Sequence, residues 1–221
     1  MYKVAIFDLD GTLLNTISDL SKACNVALST FGYPEHDEAT YKTYVGNGIY
    51  KLIERSVPEA VRDKEHVLQV KAVFDNYYAA HSLDQTKPYD GICSLLKKLK
   101  EEGIICGVVT NKAHAYAVHL VDLFFGELID DTLGQREGVP TKPDPQGLLE
   151  LMAHFKASPK ECLYIGDSNV DMQTAEAAQI DSVGVLWGFR SKEELEQTGA
   201  TFLVENTKAL EAILLGQNLK E

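Results

Sequence analysis

Short apolar runs alternate with amphipathic stretches along most of this chain. Val4–Phe7 is too short for a helix, and its β-branched and aromatic side chains suit a buried strand. Comparable runs follow at Ile104–Val109, Leu163–Ile165 and Val183–Leu186, with shorter ones at Leu128–Ile129 and Phe202–Val204. Apolar residues recur at helical spacing between them, over Ala113–Phe124, Pro145–Phe155 and Met172–Ala178. This alternation predicts right-handed βαβ units and a parallel sheet.

A block of helical patterns with no clear strand separates the first strand from this alternating part. Its apolar stripes run over Thr16–Phe31, Asp37–Tyr44, Ile49–Val57 and Glu59–Ser82. The simplest arrangement is an α/β fold, with a Rossmann-like parallel sheet core flanked by helices and an inserted all-helical cap domain. We expect the core to comprise residues 1–14 and 86–221, and the helical domain residues 15–85.

Several helix ends carry recognisable signals. Asp90 is expected to cap a helix that runs through Leu99 and stops at Gly103. Ser191 and Glu194 have the spacing of a capping box for a later helix. These signals predict where helices of the core begin and end.

Two carboxylates directly follow the first predicted strand. Asp8 and Asp10 are separated by one leucine and followed by Gly11 and Thr12. Open α/β sheets bind ligands at the carboxyl ends of their strands. Two anions this close stay ionised only when a cation or a shared proton offsets them. An Asp-Gly turn alone would explain Asp10 and Gly11 but not Asp8, so the segment is predicted to be half of a metal and phosphate site.

Polar residues also stand near the ends of other predicted strands. Thr110 and Asn111 follow one strand, Asp167 and Asp171 follow another, and Lys142 lies in a proline-stiffened stretch just before a helix. Taken singly, each has an ordinary explanation as a turn, a helix cap or a solvated lysine. At one sheet edge, these residues and the first pair of acids would gather four carboxylates, which need a hard divalent cation. All-oxygen ligands suit Mg²⁺. A lysine and a hydroxyl beside them suit a phosphoryl group.

Composition narrows the choice of partner and compartment. The 221 residues are 45% hydrophobic, which suffices for an α/β core with an insertion. The formal net charge of -12 disfavours nucleic-acid backbones and anionic membranes. The four cysteines lack zinc-site spacing and are expected to be reduced core residues of a cytoplasmic protein. No apolar run approaches the length of a membrane span or forms a signal peptide.

These segments resemble the motifs of the haloacid dehalogenase-like superfamily. They are Asp8-Leu9-Asp10-Gly11-Thr12-Leu13, Thr110-Asn111, Lys142 and Gly166-Asp167-Ser168-Asn169-Val170-Asp171. The helical block resembles the cap domain of that superfamily. Within it, Val45-Gly46-Asn47-Gly48 followed by Leu52-Ile53-Glu54-Arg55 is similar to the cap of phosphoglycolate phosphatases. Related sugar-phosphate and nucleotide phosphatases share that outline.

The resemblance implies a catalytic role for each matching residue. Asp8 would be the nucleophile that forms an aspartyl-phosphate. Asp10 would be the general acid for the leaving alkoxide and then the general base for the hydrolytic water. Thr110, the backbone N–H of Asn111, and Lys142 would hold the phosphoryl oxygens.

The resemblance also implies a Mg²⁺ cofactor. Its ligands would be the Asp8 carboxylate, the backbone carbonyl of Asp10 and Asp167, with Asp171 as a ligand or directly behind one. This agrees with electrostatics, because a carboxylate is a poor nucleophile toward a dianion unless a metal and Lys142 offset the repulsion.

The activity implied is a Mg²⁺-dependent phosphatase that hydrolyses phosphate monoesters of small metabolites, as phosphoglycolate phosphatases do. Pyrophosphatase, nucleotidase and β-phosphoglucomutase-like phosphoryl transfer remain alternatives, as does a phospho-accepting regulatory module. Asp10 favours phosphoryl transfer, because dehalogenases of the superfamily lack the second acid. Leu20 stands where β-phosphoglucomutases carry a cap histidine, which favours hydrolysis. The partner would be a small phosphorylated metabolite, with no nucleic acid or membrane, and the protein a monomer or homodimer.

The cap loop is a candidate for substrate recognition. We expect Gly46 and Asn47, with Lys51 or Arg55, to reach the site when the cap closes and to read the leaving group. A plain turn between two helices explains the same residues equally well, and the sequence does not decide between these interpretations.

Overall fold

The chain forms two compact units in a computed structural model that describes residues 2–217. The first unit comprises the residues up to Leu13 and those from Pro88 onward, and the second comprises Leu14–Lys87. The assignment of the second unit as a cap domain stays a prediction. Within the described residues, no helix is both long and apolar enough to cross a membrane.

A six-stranded parallel sheet forms the centre of the first unit. The strands of the chain are β1 (Val4–Phe7), β2 (Leu14–Asn15), β3 (Lys87–Pro88), β4 (Ile105–Ala113), β5 (Asp131–Gln135), β6 (Cys162–Gly166), β7 (Asp181–Val185) and β8 (Phe202–Val204). The large sheet has the order β5-β4-β1-β6-β7-β8, whereas β2 and β3 form a separate two-stranded sheet. Each pairing in the large sheet is parallel, which confirms the predicted α/β class.

The register of the central strands places their polar ends at one edge. Phe7 at the end of β1 is aligned with Val108 of β4 on one side and with Ile165 of β6 on the other. All four residues of β1 are buried because a central parallel strand is covered on both faces. The residues that follow this level, Asp8 and Asp167 among them, therefore emerge together at the carboxyl edge.

Four helices make up most of the second unit. They are α1 (Ile17–Thr30), α2 (Glu38–Tyr44), α3 (Gly48–Ser56) and α4 (Lys64–His81). The apolar stripe of α1 packs mainly against α4, where Val70 and Phe74 are buried. The buried Asp19 carboxylate on α1 accepts hydrogen bonds from the backbone N–H groups of Gln85 and Thr86 and from the Thr86 hydroxyl. This contact fixes the segment that follows α4.

Six helices accompany the large sheet. They are α5 (Ile92–Glu101), α6 (His114–Phe124), α7 (Gln146–His154), α8 (Asn169–Ala177), α9 (Lys192–Gln197) and α10 (Thr207–Leu214). Leu148 and Leu151 of α7 and Ala175 of α8 join Ile6 and Tyr164 of the sheet in one hydrophobic cluster. The strand–helix alternation read from the sequence thus produces the layered core.

One strand was predicted in the wrong place and two short strands were not predicted. The strand predicted at Leu128–Ile129 lies instead at Asp131–Gln135, because Leu128 ends a 3₁₀ turn that begins at Gly126. This edge strand is mostly polar, so a search for apolar runs misses it. The short strands β2 and β3 were also missed, since two residues carry no periodicity.

Several helix ends also differ from the prediction. Gly91 in a left-handed conformation, not Asp90, precedes α5. Ser191 caps α9, but the Glu194 carboxylate pairs with Arg190 rather than completing a capping box. The stripe Glu59–Ser82 is a 3₁₀ turn followed by α4, which Asp63 caps.

Candidate active site

Three acidic side chains converge at the carboxyl edge of the sheet. Asp8 follows β1, Asp167 follows β6, and Asp171 lies in the first turn of α8, which begins three residues earlier than predicted. One carboxylate oxygen from each lies within 4.8 Å of the others, and all three residues are buried. The structure therefore brings together three of the four residues predicted around a metal. The Asp10 side chain lies against Lys112 instead, although its predicted metal contact was the backbone carbonyl.

Lys142 stands between two of these acids. Its Nζ lies 2.8 Å from Asp8 Oδ1, 2.7 Å from Asp171 Oδ1 and 3.0 Å from the Tyr164 hydroxyl. The contacts with Asp171 and Tyr164 are hydrogen bonds, whereas the contact with Asp8 is an ion pair. Burial lowers the pKa of Lys142, but the Asp171 and Asp8 carboxylates outweigh burial and hold that pKa well above its ordinary value. The side chain is a fixed cation.

Asp8 is less fully paired than its position suggests. Its contact with Lys142 is an ion pair in which Oδ1, although buried, makes no aligned hydrogen bond. Burial raises the pKa of Asp8 to about 6, with Lys142 opposing the rise and the Asp171 and Asp10 carboxylates adding to it. Asp8 Oδ1 therefore keeps acceptor capacity for a cation.

The Asp171 carboxylate is nearly saturated. Its Oδ2 accepts from the Ser168 backbone N–H at 3.0 Å and from the Ser168 hydroxyl at 2.6 Å, which forms a capping box at the start of α8. Its Oδ1 accepts from Lys142 and lies 3.3 Å from the Tyr164 hydroxyl. The residue thus orients Lys142 and caps a helix, which favours a place behind the metal ligands over direct ligation.

Asp167 offers an open oxygen beside Asp8. Its Oδ2 accepts from the Phe189 backbone N–H at 2.7 Å, and its Oδ1 lies 3.5 Å from the Thr12 hydroxyl. Burial raises the pKa of Asp167 well above its usual range, and the Asp171 and Asp8 carboxylates add to the rise. One ammonium does not offset three buried acids, and these hard oxygen donors fit Mg²⁺.

The predicted phosphate-binding residues also lie together. The Asn111 side chain makes two bonds to the backbone of Lys142: its amide donates to the Lys142 carbonyl at 3.0 Å, and its Oδ1 accepts from the Lys142 N–H at 2.8 Å. Thr110 is buried, and its hydroxyl accepts from the Lys112 N–H at 3.3 Å. The Asn111 side chain therefore holds the Lys142 loop in place, a contact that the sequence did not indicate.

Sequence reasoning missed Lys112. Its buried Nζ lies 3.1 Å from Asp10 Oδ1 and 3.3 Å from Asp10 Oδ2. Strand β4 continues to Ala113, four residues beyond the predicted end at Val109, and carries Lys112 into the site. The sequence did contain a signal for this placement, because Lys112 directly follows the predicted site residues Thr110 and Asn111.

The residues predicted to read substrate lie in the second unit. Gly46 precedes Asn47, whose Oδ1 accepts from Arg55 Nη2 at 2.8 Å, while Arg55 Nη1 donates to the Tyr44 carbonyl at 2.6 Å. Lys51 pairs with Glu54 at 2.5 Å. Arg55 thus stabilises the loop before α3, and a role of these residues in specificity stays a prediction.

Comparison with known sequences gives a consistent set of matches. The sequence model of the haloacid dehalogenase-like hydrolase family matches residues 5–185. The phosphoglycolate phosphatase of Mannheimia succiniciproducens is 32% identical over 212 residues, which cover 93% of this chain and 95% of the relative. The phosphoglycolate phosphatase of Thiobacillus denitrificans is 35% identical, with 85% of this chain and 84% of the relative covered.

Comparison with solved structures agrees. The crystal structure of a "putative phosphoglycolate phosphatase" from Lactobacillus delbrueckii subsp. bulgaricus superposes with a TM-score of 0.93 at 34% identity, covering 98% of this chain and 99% of the other. A "predicted phosphoglycolate phosphatase" from Haemophilus somnus gives a TM-score of 0.89 at 28% identity, with 96% and 97% covered. The similarity therefore spans both units of the chain.

Proposed function

Because the chain belongs to the haloacid dehalogenase-like hydrolase family, we propose that it is a Mg²⁺-dependent phosphatase of small phosphorylated metabolites. The family predicted from the sequence motifs is thereby confirmed. The observation that carries the proposal is the position of the Asp8 carboxylate, which belongs to a cluster of three buried acids that fits Mg²⁺ and lies 2.8 Å from the Lys142 ammonium. The first substrate to test is 2-phosphoglycolate, because relatives that cover most of the chain bear the name of that activity.

The proposed reaction passes through a covalent intermediate on Asp8. An Asp8 oxygen attacks phosphorus in line, forming the aspartyl-phosphate as the bond to the leaving oxygen breaks and Asp10 donates a proton to that oxygen. The Asp10 carboxylate then takes a proton from a water molecule, which attacks phosphorus and releases phosphate and the Asp8 carboxylate. A well-placed acid–base group is typically worth ~10²–10⁴-fold in rate.

Fixed charges and donors would stabilise the phosphoryl group. Lys142 supplies a buried cation beside Asp8, and the Thr110 hydroxyl and the Asn111 N–H would supply neutral donors. When bound to Asp8 and Asp167, Mg²⁺ would offset the charge that otherwise keeps a carboxylate from approaching a phosphate dianion. The Asp10 backbone carbonyl is a third proposed ligand, with Asp171 behind the set.

A phosphate-release screen tests this proposal. Purified protein is offered 2-phosphoglycolate, sugar phosphates, nucleotides and pyrophosphate, each with Mg²⁺ and with EDTA. We expect many turnovers on a small monoester with Mg²⁺, and nearly none in EDTA or in the Asp8→Asn variant. A matched control is Asp63→Asn, because Asp63 is exposed and its carboxylate accepts from the N–H of His66, three residues along the chain.

The outcome also separates the alternatives. Preference for pyrophosphate or nucleotides would keep the mechanism and change the substrate class. Uptake of one phosphoryl group per protein molecule, followed by a halt without steady phosphate release, would identify a phospho-accepting regulatory module instead. Transfer of the phosphoryl group between two hydroxyls of a sugar would indicate a mutase. The side chain of Leu20, buried on α1, has no titratable group, which argues against that outcome.

A further inference from the structure

The segment after β7, Trp187–Phe189, packs directly against the proposed metal ligand Asp167. The Phe189 backbone N–H donates to Asp167 Oδ2 at 2.7 Å. The Trp187 indole Nε1 donates to the carbonyl of Thr12 at 3.0 Å, and the Thr12 hydroxyl faces Asp167 Oδ1 at 3.5 Å. Three contacts therefore join this segment, the turn after β1 and the Asp167 carboxylate, which lies 22 residues before Phe189 in the sequence.

Asp167 occupies the space that a side chain at position 188 would need. A Cβ added at Gly188 would lie 2.2 Å from Asp167 Cβ and 2.6 Å from Oδ2. A Cβ added at Gly11 would be similarly close, at 2.3 Å from Asp167 Oδ2. Gly11 also has a left-handed φ of +93°, whereas the backbone of Gly188 lies outside that region. Only steric contact with Asp167, and no backbone requirement, thus explains glycine at position 188.

The two oxygens of Asp167 are consequently unequal. Oδ2 is committed to a short, strong bond with a backbone donor on Phe189. The 3.5 Å contact of Oδ1 with Thr12 lies at the outer limit of a hydrogen bond. Oδ1 therefore retains acceptor capacity. The close approach of Gly11 and Gly188 restricts rotation of the carboxylate.

We propose that Trp187, Gly188 and Phe189 form a positioning element that holds Asp167 with Oδ1 presented to Mg²⁺. The role of this element is to set metal affinity, acting through Asp167 without contacting the substrate. The inference rests on the proposed function for the identity of the cation. Trp187, Gly188 and Phe189 lie outside the sequence motifs that contain the acidic residues.

A matched pair of glycine variants tests the inference. Gly188→Ala pushes a methyl group into Asp167. Gly147→Ala, the control on α7, places its Cβ in ordinary contact with Val109 Cγ1 at 3.5 Å. Mg²⁺ alone is titrated into metal-free protein by calorimetry, and the unfolding temperature is measured separately in EDTA. We expect Gly188→Ala to weaken Mg²⁺ binding at least tenfold and Gly147→Ala to leave it unchanged.

A second variant covers the case in which Gly188→Ala fails to fold. Trp187→Phe keeps an aromatic ring but removes the indole donor to Thr12, and we expect at least a threefold loss of Mg²⁺ affinity with little change in EDTA. Mg²⁺ affinity within twofold of wild type in every folded variant would overturn the inference while leaving the proposed function intact. Failure of the wild type to bind Mg²⁺ would instead overturn the metal dependence on which both proposals rest.

Discussion

Lys112 Nζ lies 3.1 Å from Asp10 Oδ1 and 3.3 Å from Asp10 Oδ2, and only 2% of the Lys112 side chain is exposed. A buried ammonium that spans both oxygens fixes the direction in which the carboxylate points. The two residues come from different central strands, Asp10 from the turn after β1 and Lys112 from the end of β4. The proposed acid–base group is therefore oriented by the sheet itself.

Replacing Lys112 should impair catalysis through Asp10. In Lys112→Met, the Asp10 carboxylate loses its partner and its fixed orientation, and we expect kcat to fall about 10- to 100-fold, as misplacement of a reacting group does. Steady-state kinetics on the best substrate of the screen measures the change. Lys97→Met, at an exposed position of α5, is the control. Full activity in Lys112→Met would show that the ion pair does not position Asp10.

The Tyr164 hydroxyl should contribute to both stability and catalysis, although it is not itself a proposed catalytic group. It accepts from Lys142 at 3.0 Å and donates to the Val109 carbonyl at 3.0 Å. Tyr164→Phe leaves buried polar groups unpaired, so we expect about 1–3 kcal/mol lower unfolding free energy and about tenfold lower kcat/KM. Urea denaturation and steady-state kinetics measure the two effects.

Tyr2→Phe provides the contrast for that variant. It removes a phenol bond to Asp181 at the opposite, amino-terminal edge of the sheet. We expect its kcat/KM to match wild type. Equal kinetics in the two variants would mean that Tyr164 only packs.

The Asp19 carboxylate should stabilise the second unit. Asp19→Asn keeps the shape of the side chain but turns an amide N–H₂ toward a backbone donor, Gln85 N–H or Thr86 N–H. One buried donor left unpaired costs about 1–3 kcal/mol of unfolding free energy. Hydrogen exchange at the amides of residues 85 and 86 should also accelerate. Asp37→Asn, at an exposed helix cap, should produce a smaller change, and unaltered exchange at 85 and 86 would contradict this role.

Metal-free protein should lose stability as pH rises through the titration of Asp8. The pKa of Asp8 is raised to about 6 by burial, above its value in the unfolded chain, so the folded state holds the proton more tightly. The stabilisation is fully present below about pH 4 and is lost as pH rises through about 6. We expect Asp8→Asn in EDTA to unfold on the order of 5 °C above wild type at pH 7.5. The two should converge near pH 4, and a constant gap from pH 4 to 7.5 would refute the shift.

Two of the acids that the sequence predicted, Asp8 and Asp167, directly follow buried strands. Asp8 and Asp167 are adjacent to strong apolar runs, so their placement needs only the rule that parallel strands end at one edge. The start of α8 was placed late because Ser168 caps it through Asp171, and a polar first turn carries no apolar stripe.

The missed parts depend on contacts between segments far apart in the chain. Lys112 enters the site only because β4 runs past its apolar portion. Phe189 binds Asp167 through a backbone N–H, which any amino acid except proline could supply. The identity of residue 189 therefore does not predict this contact. The resemblance implied a role only for the backbone N–H of Asn111, whereas its side-chain amide holds the Lys142 loop in place.

The full set of neighbours around Lys142 has a consequence for how the product leaves. Because Asp8, Asp171 and Tyr164 already contact the Lys142 ammonium, an incoming anion competes with them for it. In the proposed reaction, phosphorylation of Asp8 removes its negative charge and leaves the Lys142 ammonium to contact the new phosphoryl group. Hydrolysis restores the Asp8 carboxylate, which would pair with the ammonium again. We therefore expect the inorganic phosphate product to bind weakly and turnover not to stall on it.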